Sequence, residues 1–169
     1  MKKIILCIAL VLGAYIQPSM AQTNNLSVKF NQSLQRYYAL KNALAADKAE
    51  EAAKAASALA LAIKEVPHKG FTTDAQHQFW MKESKQILAQ TAVLGESTDL
   101  KVQRKSFEGI SASMIRLAEE LKLNTTAAYV QYCPMGKFSW LNEVKAIQNP
   151  YYGSEMFDCG TIKETIANK

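Results

Sequence analysis

Histidine, cysteine, proline and glycine are all scarce in this chain, at two, three, four and seven of 169 residues. Each shortage excludes something. The two histidines, His68 and His77, are too few to build the Glu plus Glu-x-x-His arrangement of a di-iron bundle. His68 sits in a Pro/Gly link and His77 in the first turns of a helix, so both read as solvated. There is no Cys-x-x-Cys pair, no glycine-rich phosphate loop and no Gly-x-Ser-x-Gly turn, and Cys133 has no histidine beside it in sequence. The expectation is a protein that is not an enzyme. Long apolar runs are missing too. The longest, Ile4 to Ile16, is short of the roughly 20 residues a membrane-spanning helix needs.

That run follows Lys2-Lys3 and precedes Pro18-Ser19-Met20-Ala21, with small residues three and one before the expected cut. This is the pattern of a secretory leader over 1–21, and it implies export to the periplasm. Cys7 lies inside the leader, without the small residues a lipid-attachment site needs just before the cysteine, and leaves with it. Loss of Lys2 and Lys3 takes the formal charge from +5 to +3. So mild a balance gives no basic stripe for nucleic acid. No membrane span is expected after cleavage. Two cysteines then remain, Cys133 and Cys159.

What is present is helical patterning. Leu26, Phe30, Leu34, Tyr37 and Leu44 recur at spacings of three, four and seven, an amphipathic helix over about 24–46. Asp47-Lys48-Ala49-Glu50 has the form of a capping box, opening a second helix with Ala52, Ala56, Leu59, Ile63 and Val66 inward. Pro67 to Gly70 ends it. Thr73-Asp74-Ala75-Gln76 caps a third helix with Trp80, Ile87 and Leu94 every seven residues. Asp99 to Leu123 carries the cleanest stripe: Leu100, Phe107, Ile110, Met114, Leu117 and Leu121. The expected fold is all-α, an up-and-down four-helix bundle over about 24–123.

After Asn124 the pattern changes. Tyr129 to Tyr132 is aromatic and β-branched, Phe138 to Leu141 is a short apolar island, and Asn149-Pro150-Tyr151-Tyr152-Gly153 is a turn. The end, Thr161 to Asn168, reads as one or two helical turns. The expectation over 124–169 is an irregular cap with room for a short strand pair, in one domain with the bundle over 22–169.

This cap holds the residues with chemistry. Cys133 and Met135 flank Pro134, and in an extended segment both project to one side. Met156 and Cys159 are three apart, neighbours on one face of a helical turn. Folded together at the Pro150 turn, four sulfurs would make a soft site for Cu(I) or Ag(I), and a poor one for zinc. The alternative is a Cys133–Cys159 disulfide, which closes a loop of 26 residues and would stabilise the fold by roughly 3.5 kcal/mol on the chain-entropy account. Met135 and Met156 would then be core filler.

Tyr132-Cys133-Pro134-Met135, Trp140, Asn149-Pro150-Tyr151-Tyr152-Gly153 and Met156-x-x-Cys159-Gly160 together resemble the C-terminal signature of a bacterial exported family of unknown function, family 3347. Weaker similarity runs through Ala43 to Asp47 and Gln103 to Phe107. That family occurs free or fused to the periplasmic adaptor subunits of copper and silver efflux pumps. The resemblance implies a periplasmic role beside metal export, an adaptor as partner, Cys133, Met135, Met156 and Cys159 as ligands, and Tyr132, Pro134, Trp140 and Asn149 to Gly153 shaping the cap. Such adaptors often carry a Tyr-Thr-Cys-Pro-Met-His motif as well; here Gly136 stands at the histidine position.

Overall fold

The computed structural model describes residues 19–168. Most of the expected leader, with Cys7, lies outside the described residues. Four helices follow in order: α1 (Ser19–Ala45), α2 (Ala49–Lys64), α3 (Asp74–Gly95) and α4 (Leu100–Leu121). Each packs chiefly on its neighbours in sequence. Among the described residues no helix is long and apolar enough to cross a membrane.

The stripes read from the sequence are the faces that are buried. Phe107, Ile110, Met114 and Leu117 are wholly enclosed, as are Trp80, Ile87 and Leu94. Ser84 and Thr91, which interrupt the α3 stripe, turn their hydroxyls to the carbonyls of Met81 and Leu88 in their own helix. Buried hydroxyls satisfied this way cost little. The small residues Ala52 and Ala56 are likewise fully enclosed on α2 and bring its backbone close to its neighbours.

The Thr73 cap agrees with the sequence pattern, Asp99 caps α4, and the start of α2 differs. Thr73 accepts from the Gln76 amide and Asp99 from that of Lys101, each meeting an otherwise unpaired N–H of the first turn. Asp47 does not cap α2. The N-cap is Lys48, without a side-chain cap bond, and Asp47 sits in the left-handed region at φ 58°. Its carboxylate is drawn to a tertiary partner instead, described below.

The cap is more regular than expected. Strands β1 (Ala128–Cys133), β2 (Phe138–Asn142) and β3 (Thr161–Ile166) form an antiparallel sheet in the order β2-β1-β3. The Phe138 island is thus β2, and the tail expected to be helical is β3. Its β-branched residues, Thr161, Ile162, Thr165 and Ile166, suit a strand, and pairing with β1 supplies the backbone bonds, with a bulge at Val130/Gln131.

Hydrogen bonds lay β2 over the seam between α1 and α4. Tyr37 of α1 bonds the Ser111 hydroxyl of α4 at 2.7 Å and accepts from the Leu141 amide at 3.0 Å. Ser111 donates to the Ser139 carbonyl. An aromatic column continues the contact: Tyr37 stacks on Phe107, Phe107 meets Tyr151, and Tyr151 stacks on Phe138 at 4.4 Å. The cap is therefore an integral part of the core, and its turn residues are held to the bundle.

Candidate functional site

The site is built from the end of β1 and the loop from 149 to 160. β1 brings Cys133 to the last position of the strand, opposite Phe138 of β2, with its side chain fully buried. Pro134 then begins a four-residue turn. Its fixed φ and missing N–H suit a place where pairing must stop. Lys137, at φ 58°, reverses the chain into β2. Gly136 has no room for a side chain: a Cβ there would lie 2.5 Å from the Phe138 ring and 3.1 Å from that of Tyr152. Packing thus accounts for the glycine where the adaptor motif has histidine.

The turn changes what Cys133 and Met135 can do together. They are not two positions of one extended segment, so they do not project to one side as expected. Met135 is at the turn, 70% exposed. What the turn directs at the Cys133 sulfur is its backbone, the N–H groups of Gly136 and Met135.

Asn149 organises the other half. It is wholly buried and uses both ends of its carboxamide. The oxygen accepts from the amides of Tyr151 (2.9 Å) and Tyr152 (3.3 Å). The nitrogen donates to the Cys159 carbonyl at 3.0 Å and also reaches the Cys133 sulfur. Its backbone N–H donates to Phe157 at 2.7 Å, and its carbonyl accepts from Gly153. Met156 is half-buried just after the 3₁₀ turn Gly153–Glu155, and its carbonyl accepts from the Cys159 amide. The Met156 to Cys159 stretch is thus a single turn.

These bonds place the two cysteine sulfurs 3.5 Å apart as free thiols, Cys133 buried and Cys159 half-buried. The direct contact is between the cysteines. Burial pushes the Cys133 thiol up, but the Gly136 amide, the Cys159 thiol, the Met135 amide and the Asn149 side chain outweigh it, and the net direction is down. Cys159 moves up, through its bond to Cys133, through desolvation and through the nearby negative charge of Cys133 and Asp158. The donors that favour a thiolate are thus gathered on Cys133, while Cys159 is held toward its thiol form.

A second cluster fixes this loop to the bundle, and sequence reasoning missed it. Arg104 of α4 donates through Nε to the Pro150 carbonyl at 3.0 Å, and through Nη2 to the Leu44 carbonyl at 3.1 Å and to the Asp47 carboxylate. The other Asp47 oxygen accepts from the Ser154 amide at 2.9 Å. Gly153, at φ 57°, passes so close that a Cβ would overlap both Asp47 and Arg104. Asp47, Arg104 and Gly153 lie in three separate segments of the sequence. Nothing local says that they meet.

The remaining cap residues also have places. Trp140 is buried, donates to Gln131 at 2.9 Å and meets Tyr151 edge-on. Tyr151 donates to the Ser139 carbonyl. Tyr132, between Gln131 and Cys133 on β1, has the Lys163 ammonium 5.6 Å from its ring centre. Among the described residues no three His, Cys, Asp or Glu side chains cluster as a metal site. The two thiols, with or without a thioether, are the donors available here.

No curated protein and no solved structure matches the chain. The family model described as a protein of unknown function (DUF3347) matches residues 34–126, from α1 to the start of the cap and ending before Cys133. That match spans more than half of the sequence, and the chain belongs to this family.

Proposed function

We propose that the cap is a soft-metal site, in which Cys133 and Cys159 take up Cu(I) or Ag(I) as a bis-thiolate. The protein would be non-catalytic, a periplasmic buffer or handover factor beside heavy-metal efflux. The observation that carries the reading is the 3.5 Å separation of two thiols, one of which is supplied with N–H donors for its anion. Two thiolates on one ion with metal–sulfur bonds of about 2.3 Å lie about 3.8 Å apart at a tetrahedral centre and about 4.6 Å apart across a linear one. The gap has to open by a few tenths of an ångström for the first and by about 1.1 Å for the second, within reach of side-chain rotation. Closing to a disulfide, with sulfurs about 2.05 Å apart, requires about 1.5 Å of approach.

Thiolate and thioether donors favour Cu(I), and the arrangement offers no third thiolate or imidazole that would complete a zinc site. Binding as a bis-thiolate displaces the thiol protons, so affinity rises with pH. In this reading Met135, exposed on the turn after Cys133, swings in as a third donor that a partner replaces during transfer. A periplasmic efflux adaptor is the partner suggested by the resemblance of the cap signature.

The second reading is an envelope interaction module with a Cys133–Cys159 disulfide, favoured by the same contact between sulfurs. Thiol counting separates the two. Mature protein, without the 1–21 leader, purified in the absence of reductant should show two reactive thiols after unfolding, both protected in the folded state by one equivalent of Cu(I) added anaerobically. A count of zero before reduction supports the disulfide reading.

A further inference from the structure

The two histidines meet at the end of the bundle remote from the thiol pair. His68 opens the 3₁₀ turn His68–Gly70 behind Pro67, and this turn is seated on α1, since a Cβ on Gly70 would lie 3.0 Å from that of Leu26. His77 is in the first turn of α3, nine residues on. Their ring centres are 6.2 Å apart at 66°. Phe71 stacks on His77 at 24° and packs on the buried Trp80 at 5.8 Å, so His77 is braced against the core. Met81, one helical turn after His77 and on the same face, is 44% exposed. It lines a groove of about 340 Å³ with His68 and Trp80.

From this cluster we infer a second metal site, in which His68 and His77, with Met81 as third donor, hold a copper ion. Two imidazoles on one ion with metal–nitrogen bonds of about 2.0–2.1 Å have ring centres about 5 to 6.5 Å apart, depending on the angle at the metal. The observed spacing falls in that range, so only side-chain rotation is needed to aim the nitrogens. Imidazole suits zinc, copper, nickel and iron, and thioether selects Cu(I); copper is common to both. Lys64 and Lys85 line the same groove, Lys69 follows His68 and Asp74 precedes His77 by a turn. These four are solvent-exposed, and water and salt screen the lysines' repulsion of the ion. The thiol-bearing loop is fixed at Asp47, about 30 Å along α1 from Leu26 at 1.5 Å per residue. The two sites are thus separate, and this inference does not rest on the thiol reading.

The test uses the full chain with Cys7→Ser, Cys133→Ser and Cys159→Ser, titrated anaerobically with Cu(I) held by the chromophoric chelator bicinchoninate. One equivalent should leave the chelator. His77→Ala should weaken that uptake at least tenfold, and His68→Ala, at an exposed position where folding is not at stake, should do the same. Met81→Leu should weaken Cu(I) uptake while leaving Cu(II)-induced broadening of the two imidazole NMR signals unchanged. A thiol-free chain that leaves all the copper on the chelator overturns the inference, as does full uptake in both histidine variants.

Discussion

Gly153→Ala is the substitution from which most of the cap's architecture can be tested. Gly153 is in the left-handed region, where an alanine costs roughly 1 kcal/mol. The added methyl would also overlap the Asp47 carboxylate and the Arg104 guanidinium. One of them has to move, and with it go the ion pair and the Ser154 amide bond. A charge-assisted bond is worth about 1.5–3 kcal/mol when enclosed. Here the two side chains are 30% and 19% exposed, so solvent reduces their joint loss to about 1–2 kcal/mol. The expected cost of Gly153→Ala is then about 2–3 kcal/mol in urea unfolding, or roughly 4–12 °C in Tm for a domain of this size. In an Asp47→Ala background most of the collision is gone, and the same change should cost only about 1 kcal/mol, a coupling of about 1–2 kcal/mol. A loss below about 0.5 kcal/mol, or no coupling, would refute this account of how the loop is held.

Further outcomes follow from individual groups. The Asp47 carboxyl is held below its ordinary value by Ser154, through its hydroxyl and amide, and by Arg104; its stabilising share is present above that ordinary value and lost as pH falls through the folded one. Asp47→Asn should therefore flatten the acid limb of the stability curve, its difference from wild type beginning to shrink only below pH ~4 and closing once pH has fallen past the lowered folded value. Lys41 is buried with its ammonium 2.6 Å from Asn142, 2.7 Å from Gln148 and 3.2 Å from Glu143; Lys41→Ala should cost about 3–5 kcal/mol in denaturant unfolding, and a change under 1 kcal/mol would contradict its charged, paired state. Gly136→Ala pushes on the Phe138 ring and should displace the amides that face Cys133, so the pH dependence of thiol alkylation should move upward; an unchanged profile would mean that those amides do not matter.

The sequence made the bundle legible because burial there is periodic. Phe107, Ile110, Met114 and Leu117 repeat on one face of α4 and are all enclosed. Thr73 could be read as a cap because its partner is three residues away. Asp47 shows the limit of that logic. Its Asp-x-x-Glu pattern is that of a capping box, yet its partner, Arg104, is 57 residues distant. β3 was hidden for a related reason: five of its six residues are exposed, so an edge strand here carries no alternation between a buried and an open face. In the cap, residue types pointed to soft-metal chemistry before any geometry was known. The turn at Pro134 could not be told from an extended segment, and so the replacement of Met135 by backbone N–H groups as the close neighbours of Cys133 was not foreseeable. The meeting of His68 with His77 was equally unreadable, since it depends on the path of the chain through Pro67 and Phe71.

The central claim, that the two thiols form a metal-binding pair, is tested most directly by anaerobic Cu(I) titration of the reduced chain, read in the ultraviolet thiolate-to-copper charge-transfer band. The account predicts a band that saturates at one equivalent, with release of protons, and that is lost in both Cys133→Ser and Cys159→Ser. Absence of the band in the reduced wild-type protein, or its persistence in either serine variant, would contradict it.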